Sequence, residues 1–222
     1  MIAEIGLIAA KDLRIEARSR VSLNQVAPFA LLILVLFGFA LDADRSTLQV
    51  FTPGLYWVTI LLSSVLAIHR SVAVEAGEKA SDGLLLAGIR PAAVFLGKTI
   101  ALIAQLVVVA GVLLAGVVVF YDARIDDVAL LSATLVGALV GIGAAGTLYG
   151  GLLGSQRARE TILPILLLPV LTPVLIAATR AFGDAMGPVA ANGWSWVSGL
   201  YGFAALFLAL GIASQGLLME EM

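Results

Sequence analysis

Three short stretches carry residue types at spacings that chemistry uses. Ala92-x-x-x-x-Gly97-Lys98-Thr99 is one residue away from a phosphate-binding loop. That loop needs glycine at its first position, so that backbone amides can wrap the phosphates, and it follows a buried strand. Here Ala92 stands in the glycine's place, Gly88-Ile-Arg-Pro precedes it and a long apolar run follows. Lys98 fits better as a cation that reaches out of a bilayer along its aliphatic stem. Gly141-Ile-Gly143-Ala-Ala-Gly146 matches a dinucleotide fingerprint, yet no strand precedes it and no ribose-binding acid follows. Gly137 and Gly141, then Gly146, Gly150 and Gly154, recur every four positions, a spacing that lets membrane helices approach closely, and helix packing is the better reading. His69 is the single histidine and the chain has no cysteine. Thiolate metal sites and disulfides are excluded, and one imidazole is a poor metal or haem site. With no Ser-His-Asp set, carboxylate pair or metal cluster, the expectation is a protein that is not an enzyme, with no catalytic or metal-ligating residue and no cofactor of its own.

The elements that hold these stretches follow from composition. Of 222 residues, 61% are hydrophobic and only 13% charged, and the mean hydropathy is +1.07, which is a membrane composition. A net charge of −2 argues against a nucleic-acid partner. A bilayer core takes about 20 apolar residues per helix, and backbone groups in lipid must bond within the segment. Uncharged runs predict six transmembrane helices, at about 21–41, 52–69, 99–121, 128–154, 161–179 and 197–218, with a short interfacial piece over 185–196 before the last. The class is an all-α membrane protein, with 21–222 as one six-span domain. The fifth span holds Pro164, Pro169 and Pro173, each of which removes a backbone donor, so a deformed helix is expected there. No span has a charge near its middle, which argues against proton- or sodium-driven transport. Trp57, Trp194 and Trp196 suit an aromatic belt at the outer surface, and Trp194 and Trp196 also offer a periplasmic docking patch.

Orientation follows the Lys/Arg bias of short loops. Ten cations fall on one side: Lys11, Arg14, Arg18 and Arg20, then Arg70, Lys79, Arg90 and Lys98, then Arg157 and Arg159. Three fall on the other: Arg45, Arg124 and Arg180. Both termini are therefore expected in the cytoplasm. Residues 1–20 read as an amphipathic helix on the membrane's inner face, with Ile2, Ile5, Ala9, Leu13 and Ala17 on its apolar side. The segment 70–98 is too short for a catalytic domain. It sets Leu84, Leu85, Leu86 and Ile89 among Glu75, Glu78, Asp82 and Arg90, which suits a short helix across the membrane face that offers a side to a soluble partner.

Taken together, Lys11-Asp-Leu-Arg-Ile-Glu-Ala-Arg-Ser-Arg20, Trp57, Arg70-Ser71, Glu75, Asp82-Gly83-Leu-Leu-Leu-Ala87, Phe95-Leu-Gly-Lys98 and PILLLPVLTPVLI resemble the cytochrome c maturation protein B (CcmB) family, the haem exporter membrane subunit. The resemblance covers nearly the whole chain. The sequence departs from the family's pattern at Val74, Ala76 and Gly77, where more charge is expected, and at Gly88, where proline is expected. The resemblance implies a type-2 ABC exporter permease in the bacterial inner membrane that forms a homodimer in lipid. It implies a separate ATPase of the CcmA type, which binds the ATP, and the membrane proteins CcmC and CcmD. It implies haem as the cargo, delivered to the periplasmic chaperone CcmE. Two roles fit: export of haem, or release of the haem-loaded chaperone, and the absence of an outer histidine leans toward the second. Other classes consistent with the residues are an ABC permease for a lipid, drug or polysaccharide, and a membrane scaffold without transport.

Overall fold

A computed structural model of the chain describes residues 1–19, 22–41, 45–78, 90–152, 156–187 and 192–220. Among them are seven α-helices: α1 (Ile2–Ser19), α2 (Ala27–Leu41), α3 (Arg45–Glu78), α4 (Pro91–Tyr121), α5 (Val128–Leu152), α6 (Gln156–Ala185) and α7 (Gly193–Glu220). A single wide π-type turn, Ser22–Val26, leads into α2. Six helices are long and apolar enough to cross a membrane: Asn24–Leu41, Ser46–His69, Pro91–Tyr121, Val128–Leu152, Ile162–Ala185 and Gly193–Ser214. The protein is all-helical among the described residues and is a multi-pass membrane protein.

Several of the predicted boundaries move. α4 begins at Pro91, so residues 91–98, assigned to the loop from sequence, are the first two turns of a spanning helix. Proline at the first helical position, where its missing N–H would have had no partner, sets that start. α6 runs on to Ala185 and α7 opens at Gly193, so 185 and 193–196 of the expected interfacial piece belong to the long helices, and 188–191 lie outside the described residues. The Asp184 carboxylate ties the end of α6 to the start of α7 by accepting the Gly193 N–H at 2.7 Å.

α3 and α5 are the inner helices: 61% of each span is buried, against 22% for α2. α4 crosses behind them and touches α1, α2, α3, α5 and α7. The core is apolar and mostly aliphatic, with Leu34, Leu106, Leu113, Ile142, Leu163 and Leu167 among its fully enclosed side chains. Several threonine hydroxyls within the spans are absorbed by their own helices, whereas those of Ser63 and Thr99 are buried with no partner among the described residues. Thr52, Thr59, Thr134 and Thr147 each donate to the carbonyl four residues back, at 2.7 to 2.9 Å.

The expected place of Trp57 needs correcting. It is fully buried in the core rather than set in a surface belt. Its ring meets Phe182 edge-on, with centroids 5.9 Å apart, while Tyr56 stacks on Phe182 at 4.5 Å. Tyr56 in turn donates its hydroxyl to the Ala110 carbonyl at 3.0 Å. This tie from α3 to α4 satisfies a phenol that apolar surroundings would otherwise penalise.

Candidate functional site

The two ends of the bundle differ in construction. At the end that carries α1, the start of α4 meets the amino-terminal helix. Glycine at 97 allows the close approach: a Cβ placed there would lie 2.7 Å from the Ile8 Cβ and 3.0 Å from the Ile5 carbonyl oxygen. Ile8 and Ala9 are buried by this contact, and Ile5 and Leu13 are half-buried. Ile2 and Ala17, expected on the apolar face, are exposed. The packing face of α1 is therefore centred on Ile8, which the sequence stripe omitted, because the notch at Gly97 selects the side chain that fits it. A polar contact supports the apolar one. Glu4 accepts the Arg90 backbone N–H at 3.4 Å and the Met1 ammonium at 3.2 Å. These two donors hold the Glu4 carboxyl below the usual carboxylate range. On the opposite side of α4, a Cβ at Gly211 of α7 would overlap the Phe95 ring, so the start of α4 is gripped from two directions.

This end also frames the segment singled out from sequence. Arg90 is exposed and forms the N-cap of α4, with no side-chain capping bond. Glu75 and Glu78 lie in the last turns of α3. Asp82, Leu84, Leu85, Leu86 and Ile89 lie outside the described residues. Ala92 to Thr99 are helical throughout. Their amides point along a helix axis and cannot form a phosphate cradle, so the near-match to a nucleotide-binding loop has no loop to form one.

The glycines of α5 divide into two faces. Gly137 meets Leu200 and Tyr201 of α7, at 3.2 and 3.1 Å from a notional Cβ, and Gly141 meets Phe203 at 3.0 Å. Gly143 faces Ile103 of α4 at 2.7 Å, and Gly146 faces Ile68 of α3 at 2.5 Å. Gly150 is buried, and Gly154 lies outside the described residues. The helices received at these glycines belong to this same chain. Pro164, Pro169 and Pro173 all sit inside α6. Pro164 is half-buried, and Pro169 and Pro173 are exposed, and each removes a backbone donor from α6.

The other end is closed by backbone bonds. Ala185 at the end of α6 accepts the Asp126 and Asp127 N–H groups at 2.9 and 3.0 Å. Gln49 donates to the Asp122 carbonyl at 2.9 Å, and Asp122 takes a left-handed backbone (φ 53°) that ends α4. Asp127 caps α5 by accepting the Leu130 N–H at 2.9 Å. Trp194 and Trp196 stand on the first turn of α7, exposed by 54% and 39%, and are open to contact by lipid or protein. No group of three or more His, Asp or Glu is placed to hold a metal among the described residues.

Comparison with known proteins covers nearly the full length of the sequence. Heme exporter protein B of Pseudomonas aeruginosa is 28% identical over 212 residues, which cover 94% of each chain. The sequence model of the family described as CcmB protein matches residues 4–216, from the helix that packs on Gly97 to the last spanning helix, and the chain belongs to the CcmB family.

Proposed function

We propose that this protein is the membrane subunit of an ABC-type complex for cytochrome c maturation. In this reading it receives work from a separate ATPase and serves haem export or the release of a haem-loaded periplasmic chaperone. The observation that carries the reading is the family match across 4–216, on a chain with six apolar helices. The printed name of the Pseudomonas relative, a heme exporter protein, supports haem as the cargo of the complex.

The end of the bundle with α1 and Arg90 is the cytoplasmic one, where ten of the thirteen Lys and Arg residues fall. The ATPase seats on Glu75–Arg90, with Leu84, Leu85 and Leu86 as its apolar anchor. Movement of that segment enters the bundle through α4, whose first turns are held between Ile8 and Gly211. The chain binds no ATP itself. It works as a homodimer in the inner membrane, with partners of the CcmA, CcmC and CcmD types and the CcmE-type chaperone beyond. Release of the loaded chaperone fits the apolar filling of the bundle better than passage of a bulky, charged porphyrin through it.

The test is covalent haem attachment to c-type cytochromes in a strain that lacks this gene, read by haem staining. Supplying the chain should restore attachment. Normal attachment without it would overturn the reading.

A further inference from the structure

The end of the bundle away from α1 carries a lateral groove that the described part of the fold leaves open. It lies between the first turns of α3 and the last turns of α6, and its volume is about 450 Å³. This falls within the range of roughly 300–1,000 Å³ typical of small-molecule sites. Its origin is local. Pro53 sits inside α3 and cannot donate to the backbone one turn back, and Gly54 beside it has no side chain. A Cβ at Gly54 would meet nothing within 4 Å, so the notch beside Pro53 is empty. Ile176, Thr179 and Arg180 of α6 form the facing wall. Phe51 and Ile176 are exposed by 50% and 52%, so the groove opens sideways, onto the surface that faces acyl chains in a spanning bundle.

Arg180 gives the groove a sign. Its side chain is exposed and makes no ion pair with a described residue, and Asp184, one turn further on, accepts from Gly193 instead. Arg180 lies five residues before Ala185, the carbonyl that joins the distal loop, or about 7.5 Å along a helix. A guanidinium at that depth extends to the level of the lipid headgroups, and its planar donors match a phosphate. An apolar notch beneath a cation that pairs with no described residue fits an amphiphile with an anionic head.

We propose that this groove binds an anionic phospholipid of the distal leaflet, its phosphate on Arg180 and one acyl chain in the notch at Pro53 and Gly54. The site is independent of whether the chain couples to an ATPase. Phosphatidylglycerol is favoured over phosphatidylethanolamine, because the ammonium of the latter cancels the charge that Arg180 reads.

The experiment is native mass spectrometry of the full-length chain, purified in mild detergent and offered the two lipids in equal amounts. The wild-type chain should retain phosphatidylglycerol in preference. Arg180→Gln should reduce that preference by about tenfold or more, Arg180→Lys should keep most of it, and Arg124→Gln, an exposed cation at the same end, should leave it unchanged. Gly54→Leu, which fills the notch, should weaken retention of both lipids. An unchanged preference in Arg180→Gln, with Arg180→Lys confirming a folded chain, would overturn the proposal. So would disulfide cross-linking between two copies through Phe51→Cys and Ile176→Cys, installed in a chain with no native cysteine, because a second copy would then cover the groove.

Discussion

Gly97 and Ile8 meet so closely that a methyl group added to the first would lie 2.7 Å from the Cβ of the second. This contact joins the amino-terminal helix to the second turn of α4, just after the proposed coupling segment. Gly97→Ala should cost about 1–3 kcal/mol through overpacking. Ile8→Ala in the same chain should recover part of that loss. The check is a double-mutant cycle of thermal unfolding in detergent, in which the pair should couple by more than about 0.5 kcal/mol. Additive effects would mean that the two side chains do not share the notch.

The glycines of α7 separate a packing role from mere permissiveness. A Cβ at Gly211 would overlap the Phe95 ring, whereas one at Gly202 meets nothing within 4 Å. Gly211→Ala should destabilise the protein by about 2 kcal/mol. Gly202→Ala should be neutral or stabilise it by up to about 1 kcal/mol, because alanine loses less backbone freedom in a helix. Thermal midpoints of the two variants that fell together would contradict the arrangement of α4 against α7.

Trp57 buries an indole N–H that has no acceptor among the described residues, while its ring packs on Phe182. Trp57→Phe removes the unpaired donor and keeps an aromatic face. It should stay within about 1 kcal/mol of wild type in thermal unfolding. Phe182→Ala removes the ring on which both Tyr56 and Trp57 pack and should cost about 3–5 kcal/mol. Equal damage from the two would show that the indole nitrogen has a role in the core.

The Lys/Arg bias predicts that both termini lie in the cytoplasm. A periplasm-active phosphatase fused after Met222 should be silent, and the same reporter inserted after Asp126, between α4 and α5, should be active. The reverse pattern would invert the bundle and move the coupling segment to the wrong side.

The six spans were legible because a bilayer imposes one requirement, apolar length with internal backbone bonding, that hydropathy reads directly. The start of α4 was also written in the sequence, in Arg90-Pro91, but the pull of Lys98 toward the membrane surface hid it. Ile8 was not legible. Periodicity reports which side of a helix is apolar, and the side that packs was chosen by a glycine 89 positions away in the chain. Trp57 was misplaced because tryptophan favours interfaces on average, and only the arrival of Phe182 from α6 makes a buried site for it. The glycine stripe of α5 predicts close helix approach without naming the partner helices. Its division between α7 on one face and α3 with α4 on the other depends on tertiary arrangement alone.

The proposed coupling surface is where the functional reading is most exposed to test. Leu84, Leu85 and Leu86 are read as an anchor in a groove of the ATPase, and a few buried apolar side chains carry most of the energy in such contacts. Removing one should cost on the order of 2 kcal/mol, roughly a 30-fold loss of affinity. A rim charge such as Glu78 should contribute only about 0–1 kcal/mol. The deciding measurement is copurification of a co-expressed CcmA-type ATPase from the same organism with the tagged chain in detergent. The account predicts that the wild-type chain and Glu78→Ala retain the ATPase, and that Leu85→Asp loses it while still inserting in the membrane. Full retention by Leu85→Asp and by the matching changes at Leu84 and Leu86, or no ATPase held by the wild-type chain, would contradict it.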